Sequence, residues 1–257
     1  MNSVLNNPAS YITIGENIHT TRSLLRKGKR IDTVDDVDVI LYTAVDGSAQ
    51  TLLIPDDVKA TQDYDEGRVK HVKVALSAAM FGSAEASENG LAYIHAMAHH
   101  QEQTGATFLD INVDEFSLKT EEQKAAMTWL VGAVQNMSPL PISVDSSDVD
   151  VIRAGLEACD SSKVRPMLNS ASLERLDALD LVREHNAEVV ITAAGESGMP
   201  SGTAERVANA SRMVEAALEK GIPLGHLHVD PLVFPISVDK EFGLHCLDAI
   251  REIRGKY

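Results

Sequence analysis

Pro141-Ile142-Ser143-Val144-Asp145 is a short apolar run ending on a carboxylate, and the chain repeats that form. Thr107-Phe108-Leu109-Asp110-Ile111-Asn112, Arg165-Pro166-Met167-Leu168-Asn169, Glu188-Val189-Val190-Ile191-Thr192 and Leu227-His228-Val229-Asp230-Pro231 follow the same plan, and Tyr11-Ile12-Thr13-Ile14-Gly15 supplies an earlier apolar run. Between them, Glu121 to Gln135, Asp150 to Ala158, Leu173 to Glu184 and Ala204 to Lys220 carry apolar residues at helical spacing. Short apolar runs alternating with helical segments are the rhythm of parallel strands joined by crossover helices, which predicts an α/β fold. Thr203 reads as the N-cap of the last helical segment and Gly221 as its C-cap.

One stretch breaks the rhythm. Between about residues 28 and 80, Val39 to Val45 and Gln50 to Ile54 flank Asp46-Gly47, which reads as a β-hairpin inserted after the first strand. Its acidic continuation, Asp63-Tyr64-Asp65-Glu66-Gly67, reads as a mobile loop.

Five of the strands end in polar side chains: Asp110 and Asn112, Asp145, Asn169, Thr192 and Asp230. In a (β/α)8 TIM barrel the C-terminal strand ends converge on one mouth, so these residues are expected to share a pocket. The plain structural alternative is that each caps a helix or turn. Carboxylates and carboxamides without neighbouring Lys or Arg suit a neutral heterocycle rich in N–H groups, because Asp accepts while Asn donates and accepts. Neither GxxxxGK[ST] nor GxGxxG occurs, so the nucleotide-binding loops are missing.

These strand ends resemble those of the pterin-binding superfamily. Asp145 in Ser143-Val144-Asp145-Ser146, Asn169 in Met167-Leu168-Asn169-Ser170 and Asp230 in Val229-Asp230-Pro231 match its Asp, Asn, Asp set. The resemblance implies that these three grip the pterin ring, with Asp110 and Asn112 lining the mouth. It covers residues 11 to 27 and about 90 to 250. Ile14-Gly15-Glu16-Asn17-Ile18-His19, Leu109-Asp110-Ile111-Asn112-Val113, Asn169-Ser170-Ala171-Ser172, Gly198-Met199-Pro200 and Asp230-Pro231-Leu232-Val233-Phe234-Pro235 resemble the methyltetrahydrofolate:corrinoid methyltransferase branch. His19 stands where that branch has Asn, and the insertion at 28 to 80 is no part of the common pattern.

The resemblance implies a methyltransferase that moves a methyl group between N5 of tetrahydrofolate and a corrinoid (cobalamin) carried by a partner protein. Tetrahydrofolate or methyltetrahydrofolate is then the substrate, and a homodimer is expected. The family's seventh strand carries an Asn that approaches N5. The chain stops at Tyr257 after six of the eight expected βα units, so a truncated single barrel domain is expected, with the N5-assisting residue beyond Tyr257 and no catalytic residue assignable within the chain. Dihydropteroate synthase, condensing a pterin pyrophosphate with p-aminobenzoate, is the alternative, although its opening loop is missing. A non-catalytic pterin-binding module is the third.

Composition bounds the rest. The chain has 257 residues, 44% of them hydrophobic, which fits one large globular domain. A net charge of −15 argues against nucleic acid as a partner. No signal-like start and no run of about 18 apolar residues occurs, so a cytoplasmic protein without membrane contact is expected. Cys159 and Cys246 read as ordinary buried thiols. His95 and His99, at helical spacing with His100 and Glu102 beside them, have ligand-like spacing but fall on a helix expected outside the barrel, so no metal is expected. His226 and His228 read as structural, Asp35, Asp36, Asp38, Asp56 and Asp57 as solvated charges, and Met97, Met127, Met199 and Met213 as fillers.

Overall fold

Apolar runs that end on polar residues do become strands in the computed structural model, which describes residues 11–160, 162 and 164–257. The chain divides into two units, one up to Val164 and one from Arg165 to Tyr257. The first unit contains strands β1 (Ile14–His19), β2 (Leu24–Leu25), β3 (Ile31–Val34), β4 (Val37–Thr43) and β5 (Ala49–Leu53). The helical turns α1 (Asp56–Lys59) and α2 (Gln62–Asp65) follow, then β6 (Arg68–Val69) and helices α3 (His71–Phe81) and α4 (Ala84–Gln103). It closes with β7 (Phe108–Asn112), α5 (Thr120–Met137), β8 (Ile142–Asp145) and α6 (Val149–Ala158). The second unit holds β9 (Met167–Ala171), α7 (Ala178–Glu184), β10 (Glu188–Thr192), α8 (Thr203–Glu219), β11 (Leu227–Asp230) and α9 (Glu241–Lys256).

In the first unit β1, β7 and β8 are parallel neighbours in that order; in the second, β9, β10 and β11 are. Helices alternate with the strands from β7 to α9, so the fold is α/β as the sequence predicts. Odd and even strand positions do different work. Leu109 and Ile111 are fully buried toward the helices, while Asp110 and Asn112 point to the opposite face. Helix α5 buries Ala126, Met127, Leu130, Val131 and Val134, the spacing of a single helical face. In the second unit Ala193, Ala210, Ala249 and Ile253 form the cluster that binds α8 and α9 to the strands.

Helix α6 lies very close to β8. A Cβ on Gly155 would come within 2.5 Å of Val144 Cγ1 and 2.9 Å of Met127 Cγ, and neither neighbour is free to move in a filled core. Gly155→Ala is therefore expected to destabilise the protein by about 1–3 kcal/mol in chemical denaturation. A loss below about 0.5 kcal/mol would mean that α6 does not pack as described.

Several boundaries differ from the sequence reading. Strand β1 starts at Ile14 and runs to His19, not from Tyr11 to Gly15, because its register is set by β7: Ile14 pairs with Phe108 and Gly15 with Leu109, then an irregularity lets Ile18 pair with Ile111 and His19 with Asn112. Strand β9 continues past Asn169 to Ala171. Helix α7 begins at Ala178 rather than Leu173, since Asp177 caps it by accepting from the Ala178 N–H. The N-cap of α8 is Gly202; Thr203 is already helical, and its hydroxyl donates to the His245 carbonyl at 3.4 Å. Gly221 does end that helix, at φ +81°, with Ile222 N–H donating to Ala217 O at 3.0 Å and Gly221 N–H to Leu218 O at 2.9 Å.

The insertion contains the expected hairpin, β4 and β5 pairing antiparallel from Thr43 opposite Ala49 to Val39 opposite Leu53. Strand β3 adds a second hairpin through Asp35 and Asp36, both at positive φ as a two-residue primed turn requires. The expected loop at Asp63 to Gly67 is instead a capped helical turn. Asp63 pairs with Arg68 at 3.0 Å and Lys70 at 2.8 Å, and Glu66 with Arg68 at 2.5 Å, so opposite charges just downstream hold the acidic run. Cys159 and Cys246 are only half-buried, although burial still pushes the Cys159 thiol up to about 12. Among the described residues no helix is long and apolar enough to cross a membrane.

Candidate functional site

In-register parallel strands place paired residues side by side with side chains on one face, so register decides which polar groups meet. In the first unit His19 is opposite Asn112, and Asn112 opposite Asp145. Asp110 lies two residues before Asn112 and shares its face. Three strand ends therefore form one row. His19 Nε2 lies 2.7 Å from Asp110 Oδ2, and both groups are almost entirely enclosed. Asn112 donates through Nδ2 to Asp145 Oδ2 at 3.0 Å, and its own Oδ1 accepts from the Asp114 N–H at 2.9 Å.

Two carboxylates, Asp110 and Asp145, thus sit close together in a poorly solvated place. Burial first, and then the Asp110 charge, push the Asp145 carboxyl from its usual 3.8 up to about 6, against the opposing pull of the Asn112 hydrogen bond and of His19. A carboxyl placed this way accepts hydrogen bonds strongly when ionised and is ready to take a proton just below neutrality. His19, Asp110 and Asp145 also offer three ligand-type atoms within 4.8 Å of one another, a grouping that the strand-end reading did not include. The sequence signal is present in the Gly15-Glu16-Asn17-Ile18-His19 run, but a strand ending at Gly15 stops four residues short of His19.

In the second unit Thr192 is opposite Asp230 and Val190 opposite Asn169, so Asn169, Thr192 and Asp230 occupy one face of their three strands. Asp230 Oδ1 accepts from the Leu232 N–H at 2.8 Å and closes the turn that follows. Asn112 and Asp230 thus do turn work with one oxygen each, as the plain structural alternative requires, whereas Asp145 bonds across strands. Arg206 of α8 is a group that sequence reasoning missed. Fully buried, it donates to the carbonyls of Leu232 (3.0 Å), Pro200 (3.3 Å) and Gly202 (3.1 Å) and lies 4.8 Å over the Phe234 ring. It ties the loop before α8 to the loop after Asp230.

The histidines of α4 do not gather into a cluster of ligand-type groups among the described residues. His228, at the start of β11, pairs with Glu188 at 2.6 Å, a structural contact as expected.

The profile of the family described as "Pterin binding enzyme" matches residues 82–257, more than half of the chain. The chain belongs to that family. This pterin-binding enzyme is 30% identical over 174 residues to a methionine synthase of Mycobacterium leprae, a match covering 63% of this chain and 14% of that protein. It is 26% identical over 174 residues to a methylcorrinoid:tetrahydrofolate methyltransferase of Eubacterium limosum, covering 65% and 62%. The chain therefore spans only part of the length of these curated relatives. Among solved structures, dihydropteroate synthase from Xanthomonas albilineans in complex with 7,8-dihydropteroate is similar with a TM-score of 0.46 and 24% identity, over 65% of this chain and 59% of the other. The matched family span begins after α3, so β1 and the insertion lie outside it.

Proposed function

We propose that this pterin-binding enzyme recognises the reduced pterin of a tetrahydrofolate and transfers a methyl group between its N5 and a corrinoid carried by a partner protein. The observation that carries the pterin reading is the ionisable Asp145 in a row of enclosed hydrogen-bonding strand ends. Support for the methyl-transfer reading comes from the Gly15-Glu16-Asn17-Ile18-His19 strand, which resembles the methyltransferase opening, and from the names of the relatives.

In this reading Asp145, Asn169 and Asp230 bind the pterin, with Asp110 and Asn112 lining the site. The pterin's amino group and ring N–H form a donor edge, for which a carboxylate is the complementary acceptor. Asn supplies both a donor and an acceptor for the ring's mixed edge. The chain's contribution to the chemistry is position and electrostatics: a methyl displacement needs the attacking and leaving atoms in line, and rigid strand ends fix the pterin plane. Since a tertiary amine leaves poorly, methyl loss from N5 also needs a proton or a strong hydrogen bond there. The corrinoid supplies or accepts the methyl group when the partner protein brings it.

The test is a titration of the whole chain with methyltetrahydrofolate, followed by addition of reduced cobalamin and observation of its methylation by absorbance. Absence of folate binding would defeat the proposal. Binding without methyl exchange would leave a pterin-binding module, and condensation of p-aminobenzoate with a pterin pyrophosphate would indicate the synthase activity instead. The pH dependence is a further check. If the ionised Asp145 is the acceptor, affinity is expected to be flat above about pH 6 and to fall about tenfold per pH unit below it. An affinity independent of pH between 5 and 8 would remove Asp145 from the site.

A further inference from the structure

A second cavity, of about 440 Å³, lies within the first unit between the insertion and α4. That volume falls in the range of small-molecule sites. Its lining contains Arg22 and Arg30, with His71, Tyr93 and His100, and no carboxylate among the described residues, although the chain as a whole carries a net charge of −15. Arg22 donates from Nε to the Glu16 carbonyl at 3.0 Å and from Nη2 to the Glu16 carboxylate at 3.3 Å, outside the lining and in a pair exposed on both sides. Arg30 has no carboxylate partner among the described residues. It donates instead to the Tyr93 hydroxyl at 2.5 Å, and Tyr93 in turn hydrogen-bonds His71 Nδ1 at 2.8 Å.

Tyr93 and His71 are enclosed, at 0% and 5% exposure, so this chain of bonds is fixed beneath the guanidinium. Burial, then the charges of Arg30 and Arg22, push His71 down to about 4, which keeps the imidazole neutral near pH 7. With Arg30 donating to the phenol oxygen, the phenol proton goes to Nδ1, and the proton on His71 rests on Nε2. That nitrogen has no hydrogen-bond partner among the described residues. The cavity thus brings together the Arg30 guanidinium, an Arg22 already engaged by Glu16, the His71 ring and an apolar wall made by Leu41, Tyr42 and Met97.

We propose that this cavity is a binding site for a small organic carboxylate, held by Arg30, with Arg22 and the His71 N–H beside it, and packed against the apolar wall. An arginine fork matches a carboxylate in two-point geometry, and the apolar wall favours an organic anion over a bare inorganic one. None of the strand-end row residues His19, Asp110, Asn112 and Asp145 lines this cavity, and its walls are shared between the insertion, the segment before it and α4, so that eight of the twelve lining residues lie outside the matched family span. Two sources share this chemistry: the glutamyl tail of a folate, or a free dicarboxylate.

Calorimetric titration of the whole chain with p-aminobenzoyl-glutamate, succinate and inorganic phosphate tests the proposal without involving a pterin ring. At least one of the two organic anions is expected to bind and to shift the His71 imidazole resonances. Binding by p-aminobenzoyl-glutamate alone assigns the tail, and binding by succinate assigns a free dicarboxylate. Arg30→Gln, at an exposed position where folding is spared and the Tyr93 contact can persist, is expected to weaken binding about tenfold or more. Met97→Trp, which fills the cavity, should abolish it. Failure of both organic anions to bind, equal affinity in Arg30→Gln, or phosphate binding as tightly as either organic anion would each overturn the proposal.

Discussion

Asp145→Asn is expected to lose pterin affinity by at least about a hundredfold while the protein becomes more stable at pH 7.5. The loss follows from hydrogen-bond polarity. An ionised carboxylate accepts from both donors of the pterin edge, and each charged hydrogen bond is worth about 1.5–3 kcal/mol. Asn keeps one acceptor but turns an amide donor toward a donor, so one bond is lost and a buried N–H is left unpaired. The Asn112 contact survives, because the Asn oxygen accepts from Nδ2 as Asp145 Oδ2 does now at 3.0 Å.

The gain in stability has the opposite origin. A carboxyl whose folded value lies at about 6 against a usual 3.8 is held ionised above pH 6 at a cost of about 3 kcal/mol. Because the value is raised on folding, the stabilising contribution of the protonated form is complete below pH 3.8 and disappears as pH rises through 6. The neutral Asn avoids that cost, so the melting-temperature difference between variant and wild type should be large at pH 7.5 and close as pH falls toward 4. Equal melting temperatures at pH 7.5 would show that Asp145 is not strained. A destabilised variant would make the loss of affinity uninterpretable as recognition and would count against the assignment. Stability exchanged for function at one residue is the expected mark of a binding carboxylate.

The parts of this fold that were legible in the sequence are those fixed by local pattern. Glu188 to Thr192 reads as a strand to the residue, since four β-branched residues follow one another and set Val189 and Ile191 on a buried face and the others on a half-buried one. Strand β1 was misplaced because its boundaries depend on pairing with Phe108 to Asn112, ninety residues away, and on a register irregularity between Gly15 and Ile18. Tyr11 and Ile12 look like strand residues but are 40% and 54% exposed. The error moved His19 out of the site and so hid its contact with Asp110. The polar row itself was legible, because strand-end Asp and Asn residues are visible one strand at a time. The difference between a turn-closing Asp230 and a cross-strand Asp145 was not, since both stand at the same point of the same pattern. Acidic clusters mislead in the same way: Asp63 and Glu66 gain order from Arg68 and Lys70, and charge alone does not reveal pairing.

Replacement of Arg206 by Met is expected to cost about 3–5 kcal/mol of stability in urea denaturation. No sequence pattern marks this residue, because its partners are main-chain carbonyls, which every residue has. A buried ion pair can often be replaced by apolar side chains without loss, since both charges leave together. Here that route is closed. The partners of Arg206 are Leu232 O, Pro200 O and Gly202 O, and a substitution cannot remove them; Gly202 O alone keeps another donor, the Arg206 N–H at 3.2 Å. Met keeps an unbranched apolar stem but loses the guanidinium that lies over the Phe234 ring and leaves the Leu232 and Pro200 carbonyls without their donor. Relief from burying the Arg206 charge offsets part of this cost, and one guanidinium nitrogen already lacks a partner, which is why the estimate stops short of three full charged hydrogen bonds. The consequence reaches the candidate site through Leu232, which holds a φ of +62° between the Asp230 carboxylate on its N–H and Arg206 on its carbonyl. With one restraint gone, the turn beside Asp230 loosens, so pterin affinity is expected to fall together with stability in Arg206→Met. Arg206→Lys should recover only part of either, because one ammonium replaces a planar fork that spans two loops. A Met variant as stable as the wild type would mean that these loops are held by other contacts and that Arg206 does not position Asp230.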